Sequence, residues 1–191
     1  MKERKVLGSN FILIRALIEI VSRVPSDGLD KDLGDKLEEM VFSQLKNVDL
    51  ELISKSINRQ NNLALFSELM GSISSVRFAS VSAKFIASLE HGLKDNKLDP
   101  LIRGMRFLKL KLYPMELLDE TVIFLQKISD VYKLDSHSQA TKQALSEVLV
   151  ELLGPVAEVM IILIQDSCSR SKYSILDESH RFFISKSYEI N

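Results

Sequence analysis

Leu101-Ile102-Arg103-Gly104-Met105-Arg106-Phe107-Leu108-Lys109-Leu110-Lys111-Leu112 is the stretch on which the architecture turns. Read at helical period, Leu101, Met105, Leu108 and Leu112 form one face, while Phe107 and Leu110 fall on roughly the opposite side among Arg103, Arg106 and Lys109. A helix that is apolar on two sides suits an inner position between successive helical repeats better than the surface of a small bundle. Asp99-Pro100 marks its start, an Asx cap followed by proline at the first helical position, where the missing N–H costs nothing. The spacing predicts a helix from about Asp99 to Leu112.

Outward from this helix, nearly every segment between turn signals has helical period, and the class is all-α. A first helix is expected from about Lys2 to Val24, stopped by Pro25-Ser26-Asp27-Gly28. A second covers roughly Asp30 to Lys46, with Leu33, Leu37, Met40, Val41 and Leu45 as its apolar face. A weaker turn around Leu50 to Ile57 leads to a helix over Asn61 to Ser74 with Leu63, Phe66, Met70 and Ile73 inward. The next starts near Ser80 as N-cap and carries Val81, Phe85, Ile86, Leu89 and Leu93 on one side. Beyond Leu112, Pro114 opens a helix to about Leu134. A further helix after Ser138 is expected to break at Gly154-Pro155, with another from Pro155 to about Asp166.

These helices make about four antiparallel pairs, starting near residues 2, 61, 99 and 137, and the later intervals approach the ~40-residue period of HEAT and armadillo units. The expected architecture is a HEAT/armadillo-like α-solenoid over residues 1–166 followed by a divergent or partly disordered tail over 167–191. A single compact helical bundle is the competing arrangement.

Composition narrows the function. The chain has 191 residues, 46% of them apolar and 27% charged, enough to bury a real core. With 25 basic and 26 acidic residues, the net charge of −1 supplies no overall field for nucleic acid or anionic lipid. The single cysteine, Cys168, permits no internal disulfide and favours a reducing, intracellular setting. Phe11 to Val21 is interrupted by Arg15 and Glu19, and Val148 to Ile164 by Glu151, Gly154, Pro155 and Glu158. Neither reads as a signal peptide or a membrane span.

Catalytic constellations are missing from the pattern, and no enzyme activity or cofactor is expected. His91, His137 and His180 are far apart, without a second ligand at metal-binding spacing, and read as solvated residues near helix ends. Asp177-Glu178-Ser179-His180 holds one Asp-x-x-His, whereas a di-iron bundle needs paired Glu-x-x-His motifs. Ser43-Gln44-Leu45-Lys46 matches a Ser-x-x-Lys nucleophile motif, but Leu45 belongs to an apolar helix face and the companion motifs are absent. The scattered glycines form no phosphate-binding loop. Cys168 has Arg170 and Lys172 nearby but no histidine close in sequence, and reads as structural.

Arg103, Arg106, Lys109 and Lys111 form the most concentrated basic run. Such a run is ordinarily a solvated helix edge. The interleaved apolar and aromatic residues raise a second reading, a docking surface for an acidic partner segment, while base stacking on Phe107 and Tyr113 lacks the general basicity of nucleic-acid binders.

Several phrases resemble the amino-terminal conserved region of the Furry family of very large cell-morphogenesis proteins. They include Leu33-Gly34-Asp35-Lys36-Leu37-Glu38-Glu39, Leu65-Phe66-Ser67-Glu68-Leu69-Met70-Gly71 and Ser80-Val81-Ser82-Ala83-Lys84-Phe85-Ile86-Ala87-Ser88-Leu89-Glu90. They continue through Ile102-Arg103-Gly104-Met105-Arg106-Phe107-Leu108 to Glu147-Val148-Leu149-Val150-Glu151-Leu152-Leu153-Gly154-Pro155. The resemblance runs from about Lys2 to Val159 and is not recognised from Met160 onward, as expected of a piece of a longer protein. It implies a non-enzymatic scaffold of HEAT-like repeats that supports NDR-family kinases with their Mob co-activators. The setting it implies is cytoplasmic, at the cell cortex or sites of polarised growth, in cell polarity and morphogenesis. A generic HEAT-like adaptor in transport or membrane traffic is the alternative. The resemblance transfers no catalytic residue and does not say which positions touch a kinase.

Overall fold

Helical patterning becomes helical backbone over most of the computed structural model, which describes residues 2–25, 28–90, 95–111, 115–134 and 137–157; among these there is no strand. The helices are α1 (Lys2–Val21), α2 (Lys31–Lys46), α3 (Leu50–Ser54), α4 (Ile57–Glu90), α5 (Asp95–Met105) and α6 (Met115–Tyr132), with α7 over residues 139–157. Met1–Leu152 form one compact unit and Leu153–Asn191 a second, of which only residues 153–157 are described. The domain boundary expected after residue 166 lies outside the described residues.

Caps set several helix starts. Asp30 accepts from Leu33 N at 3.1 Å to open α2, Asp49 accepts from Glu51 N and Leu52 N to open α3, and Ser138 Oγ accepts from Thr141 N at 3.2 Å to open α7. α4 is the hub, packed against α1, α2, α3, α5 and α6. Its Leu69, Met70, Ile73, Val81 and Phe85 are fully buried, each worth roughly 1.5–3 kcal/mol relative to exposure. Phe42 of α2 meets Phe85 edge-on at 5.3 Å between ring centroids, and Phe124 of α6 meets Phe78 at 5.5 Å.

Two expected helices are in fact the arms of α4, joined at Arg77, whose φ of −130° and ψ of 50° leave the helical region. Ahead of this kink the hydroxyls of Ser72, Ser74 and Ser75 donate back to the carbonyls of Glu68, Gly71 and Ser72, a pattern that bends helices. Ser80 is not an N-cap. Its hydroxyl donates to Glu38 Oε2 of α2 at 2.6 Å.

The same contact turns α2 part-way from its expected face, of which Val41 and Leu45 stay buried and Leu37 packs on the core. Leu33 and Met40 are 57% and 41% exposed, whereas Gly34, Glu38, Val41, Phe42 and Leu45 are buried. Glu38 is fully enclosed. It accepts from Arg77 Nε at 2.5 Å and from Ser80, and pairs with Lys84 Nζ at 3.2 Å. Arg77 also bonds Asp35 and donates to Lys31 O at 3.3 Å. Burial opposes the charge of this guanidinium, but its bonds to Glu38 and the charges of Glu38 and Asp35 outweigh that, so its pKa is raised. Gly34 makes the space: a Cβ there would lie 2.4 Å from Arg77 Nη1.

The deciding helix of the sequence is shorter than expected and displaced. α5 ends at Met105, Pro100 lies inside it, and i+3 turns at Phe107 N→Gly104 O and Leu108 N→Met105 O lead into a non-helical strap over residues 108–111. Leu112 lies outside the described residues. The strap buries Leu108 and crosses α4, where Lys109 N donates to Ser74 Oγ at 2.9 Å. Thr121 of α6 then both accepts from Lys111 N, at 3.1 Å, and donates to Lys111 O, at 2.7 Å. A Cβ on Gly71 would lie 2.2 Å from the Phe107 carbonyl oxygen, so only glycine lets this backbone close on α4. Helical backbone also persists at Gly154 and Pro155, where a break was expected. The expected helix to Asp166 lies mostly outside the described residues.

Gly71→Ala should therefore destabilise by about 1–3 kcal/mol, because the strap backbone must move. Gly104→Ala, whose Cβ would meet Leu45 and Ser67 at 3.5 Å, should be neutral or slightly stabilising, as expected for a helical glycine. Urea denaturation of the two variants beside the unsubstituted chain provides the comparison. Glu38→Ala strips Arg77, Ser80 and Lys84 of their common acceptor and should cost about 3 kcal/mol in the same measurement.

Candidate partner-docking surface

The basic run separates into two places. Arg103 sits in the last turn of α5 and pairs with Asp99 one turn earlier at 2.8 Å. Arg106 follows in the turn after α5, its guanidinium 5.0 Å from the centroid of the Phe107 ring. Both are exposed and line one groove of about 420 Å³ between α3, α4 and the end of α5. Lys109 is exposed and Lys111 half-buried on the strap, and neither lines the groove. The core face expected beside the run holds: Leu101, Met105 and Leu108 are buried.

The apolar part of the groove comes from segments that sequence reasoning treated as minor or as core. α3, read as a weak turn, supplies Leu50 and Ile53; α4 supplies Leu63 and Ala64. Leu50 remains 38% exposed and Ile53, Leu63 and Phe107 half-buried. Gln60 Nε2 donates to Ile53 O at 3.2 Å and ties α3 to the start of α4. An Asp followed by an apolar pair, Asp49-Leu50 and Leu52-Ile53, was the available signal, yet nothing local shows which α4 residues it meets. The arrangement offers an apolar floor beside cationic donors and holds no nucleophile with an adjacent base.

Other candidates fall away from chemistry. Ser43 donates to Met40 O of its own helix at 2.8 Å, and Leu45 is fully buried, so the Ser-x-x-Lys match is incidental. His137 is not solvated: it is 8% exposed, and its Nε2 has no hydrogen-bond partner among the described residues. His91, His180 and Cys168 lie outside the described residues. Among the described residues no three His, Cys, Asp or Glu side chains converge on a metal position, and no helix is long and apolar enough to cross a membrane.

Residues 3–164 match the sequence profile of the family described as cell morphogenesis N-terminal. The chain belongs to that family. Membership agrees with the resemblance to the amino-terminal region of the Furry proteins, and the match continues past Val159, where that resemblance stopped. Cell morphogenesis protein PAG1 of Saccharomyces cerevisiae is 41% identical over 163 residues, and cell polarity protein mor2 of Schizosaccharomyces pombe 34% over 164. Each alignment covers 82% of this chain and 7% of the relative, so the chain corresponds to a small part of these proteins' length. No solved structure matches. The phrases quoted for the resemblance in α2 and α4 hold Gly34, Glu38, Gly71, Ser80 and Lys84, the residues that seat α2 and the strap on α4.

Exposed charges contribute little to folding, so Arg106→Glu with Lys109→Glu should leave the thermal midpoint nearly unchanged. Leu108→Ala should lower stability by about 2–5 kcal/mol through a cavity beneath the strap. Thermal denaturation followed by circular dichroism distinguishes the two effects.

Proposed function

We propose that this segment is a non-enzymatic, HEAT-like scaffold element of a cell-morphogenesis protein, supporting NDR-family kinases with their Mob co-activators in the cytoplasm, at the cortex or sites of polarised growth. The observation that carries the reading is membership of the cell morphogenesis N-terminal family over residues 3–164, beside relatives named for cell morphogenesis and cell polarity. The kinase and its co-activator extend that reading along the Furry resemblance. In this proposal Arg103, Arg106, Lys109 and Lys111 meet an acidic segment of the kinase or the co-activator. Its support is that Arg103, Arg106 and Lys109 are exposed on one short stretch of chain. A chain with net charge −1 concentrates few other cations so closely.

Immobilised 191-residue chain, offered a purified NDR-family kinase–Mob complex and separately a panel of transport receptors, should retain the kinase complex. Arg106→Glu with Lys109→Glu should slow association, more strongly at low salt than at high salt. Retention of a transport receptor with no kinase complex bound would replace this reading by the HEAT-like adaptor.

A further inference from the structure

The groove between α3, α4 and the end of α5 combines two features that seldom coincide on a bare surface. Its floor is apolar and open: Leu50 is 38% exposed, and Ile53, Leu63 and Phe107 are only half-buried. Its volume of about 420 Å³ is in the range that encloses a bound side chain or small ligand. The charges at its edge do not cancel. Asp99 is taken by Arg103 at 2.8 Å, whereas Arg106 lies against the Phe107 ring and makes no ion pair among the described residues. A guanidinium held against an aromatic ring by cation–π attraction still has N–H donors to offer a carboxylate. Lys109, exposed just beyond, extends the positive potential along the strap.

We propose that this groove is a receptor for a short acidic peptide, which buries one or two aliphatic side chains against Ile53, Leu63 and Phe107 and pairs a carboxylate with Arg106. This deepens the docking reading of the basic run and rests on it for the identity of the partner, though not for the chemistry of the groove. Charge complementarity selects the acidic occupant, since a basic or neutral segment would leave Arg106 facing a like charge or no partner. The aliphatic anchor follows from the floor, which has no free carboxylate to pair with a polar one. Lys111 does not line the groove, and its backbone is held by Thr121 of α6.

Two substitutions test the two halves of the site without entering the core. Ala64 is exposed and lines the groove, so Ala64→Trp fills it, while Arg106→Glu reverses its charge. Lys36→Glu on α2, outside the groove lining, makes the same change of sign as a control. The probe is a short fluorescein-labelled peptide with a central Leu-Leu pair flanked by glutamates. Its companions carry Ser-Ser in place of the leucines or lysines in place of the glutamates. Fluorescence anisotropy with the 191-residue chain should show the Glu/Leu peptide binding, with each companion weaker by about tenfold or more. Ala64→Trp and Arg106→Glu should each weaken it by a similar factor, with unchanged circular dichroism, and Lys36→Glu should leave it intact.

Equal affinity of Ala64→Trp and the unsubstituted chain would overturn the proposal, as would equal affinity for the Ser-Ser peptide. Self-association of the chain that Ala64→Trp abolishes would assign the groove to a second copy and overturn it too. The same variants offered to the kinase–Mob complex separate the two readings. Peptide binding lost in both variants while the kinase complex binds undiminished would support the groove and remove the kinase from it.

Discussion

Glu38 has no solvent contact, and its carboxylate is shared by Arg77, Ser80 and Lys84. A carboxylate in that position is tolerated only with its partners in place, and those partners lie on α4 from its kink at Arg77 onward to Lys84. The rotation of α2, the bend of α4 and the need for glycine at position 34 are one constraint seen from three sides. Leu33 and Met40 are turned outward because Glu38 is turned in. Hydrophobic burial supplies most of the favourable free energy of this fold, but it is indifferent to which apolar residues of α2 are used; the ionic cluster makes the choice.

The strap depends on that arrangement. With α4 bent at Arg77, the stretch from Gly71 to Ser74 presents a glycine surface and a serine hydroxyl to residues 107–109, and the strap backbone closes on both. Thr121 fastens the other end to α6. On the strap Leu108 is buried and Leu110 half-buried, while Lys109 stays exposed. The turn before the strap leaves Arg106 over Phe107 at the edge of the groove. The position of the candidate site is a consequence of where α5 stops.

The site was half legible. Its cations stand next to one another in the sequence, and their exposure beside a buried Leu101, Met105 and Leu108 is what local spacing implied. Ile53 and Leu63, by contrast, are brought to Arg106 by the packing of α3 and α4. The basic run leaves the helix for a physical reason. Leu108-Lys109-Leu110-Lys111-Leu112 alternates at period two, the mark of extended chain, yet its leucines also satisfy a two-sided helix when joined to Leu101 and Met105. Short apolar runs are ambiguous in this way, and the close approach at Gly71 resolved the ambiguity.

The sequence by itself determined the helical class, most helix starts, the burial of Met70, Ile73, Val81, Phe85, Ile86 and Leu89 on α4 and membership of the family, because these rest on periodicity, caps and quoted phrases that neighbours in the chain express. Tertiary structure alone decided which face of α2 is buried, that two expected helices are one kinked helix, that α5 gives way to a strap, and that His137 is enclosed. The reason is range. Helical patterning reports on residues one turn apart, whereas Glu38 is satisfied by Arg77 and Ser80, 39 and 42 positions away, and Lys109 by Ser74, 35 positions away. A glutamate or a glycine reads as surface or as turn until the partner that buries the one and crowds the other has been brought to it.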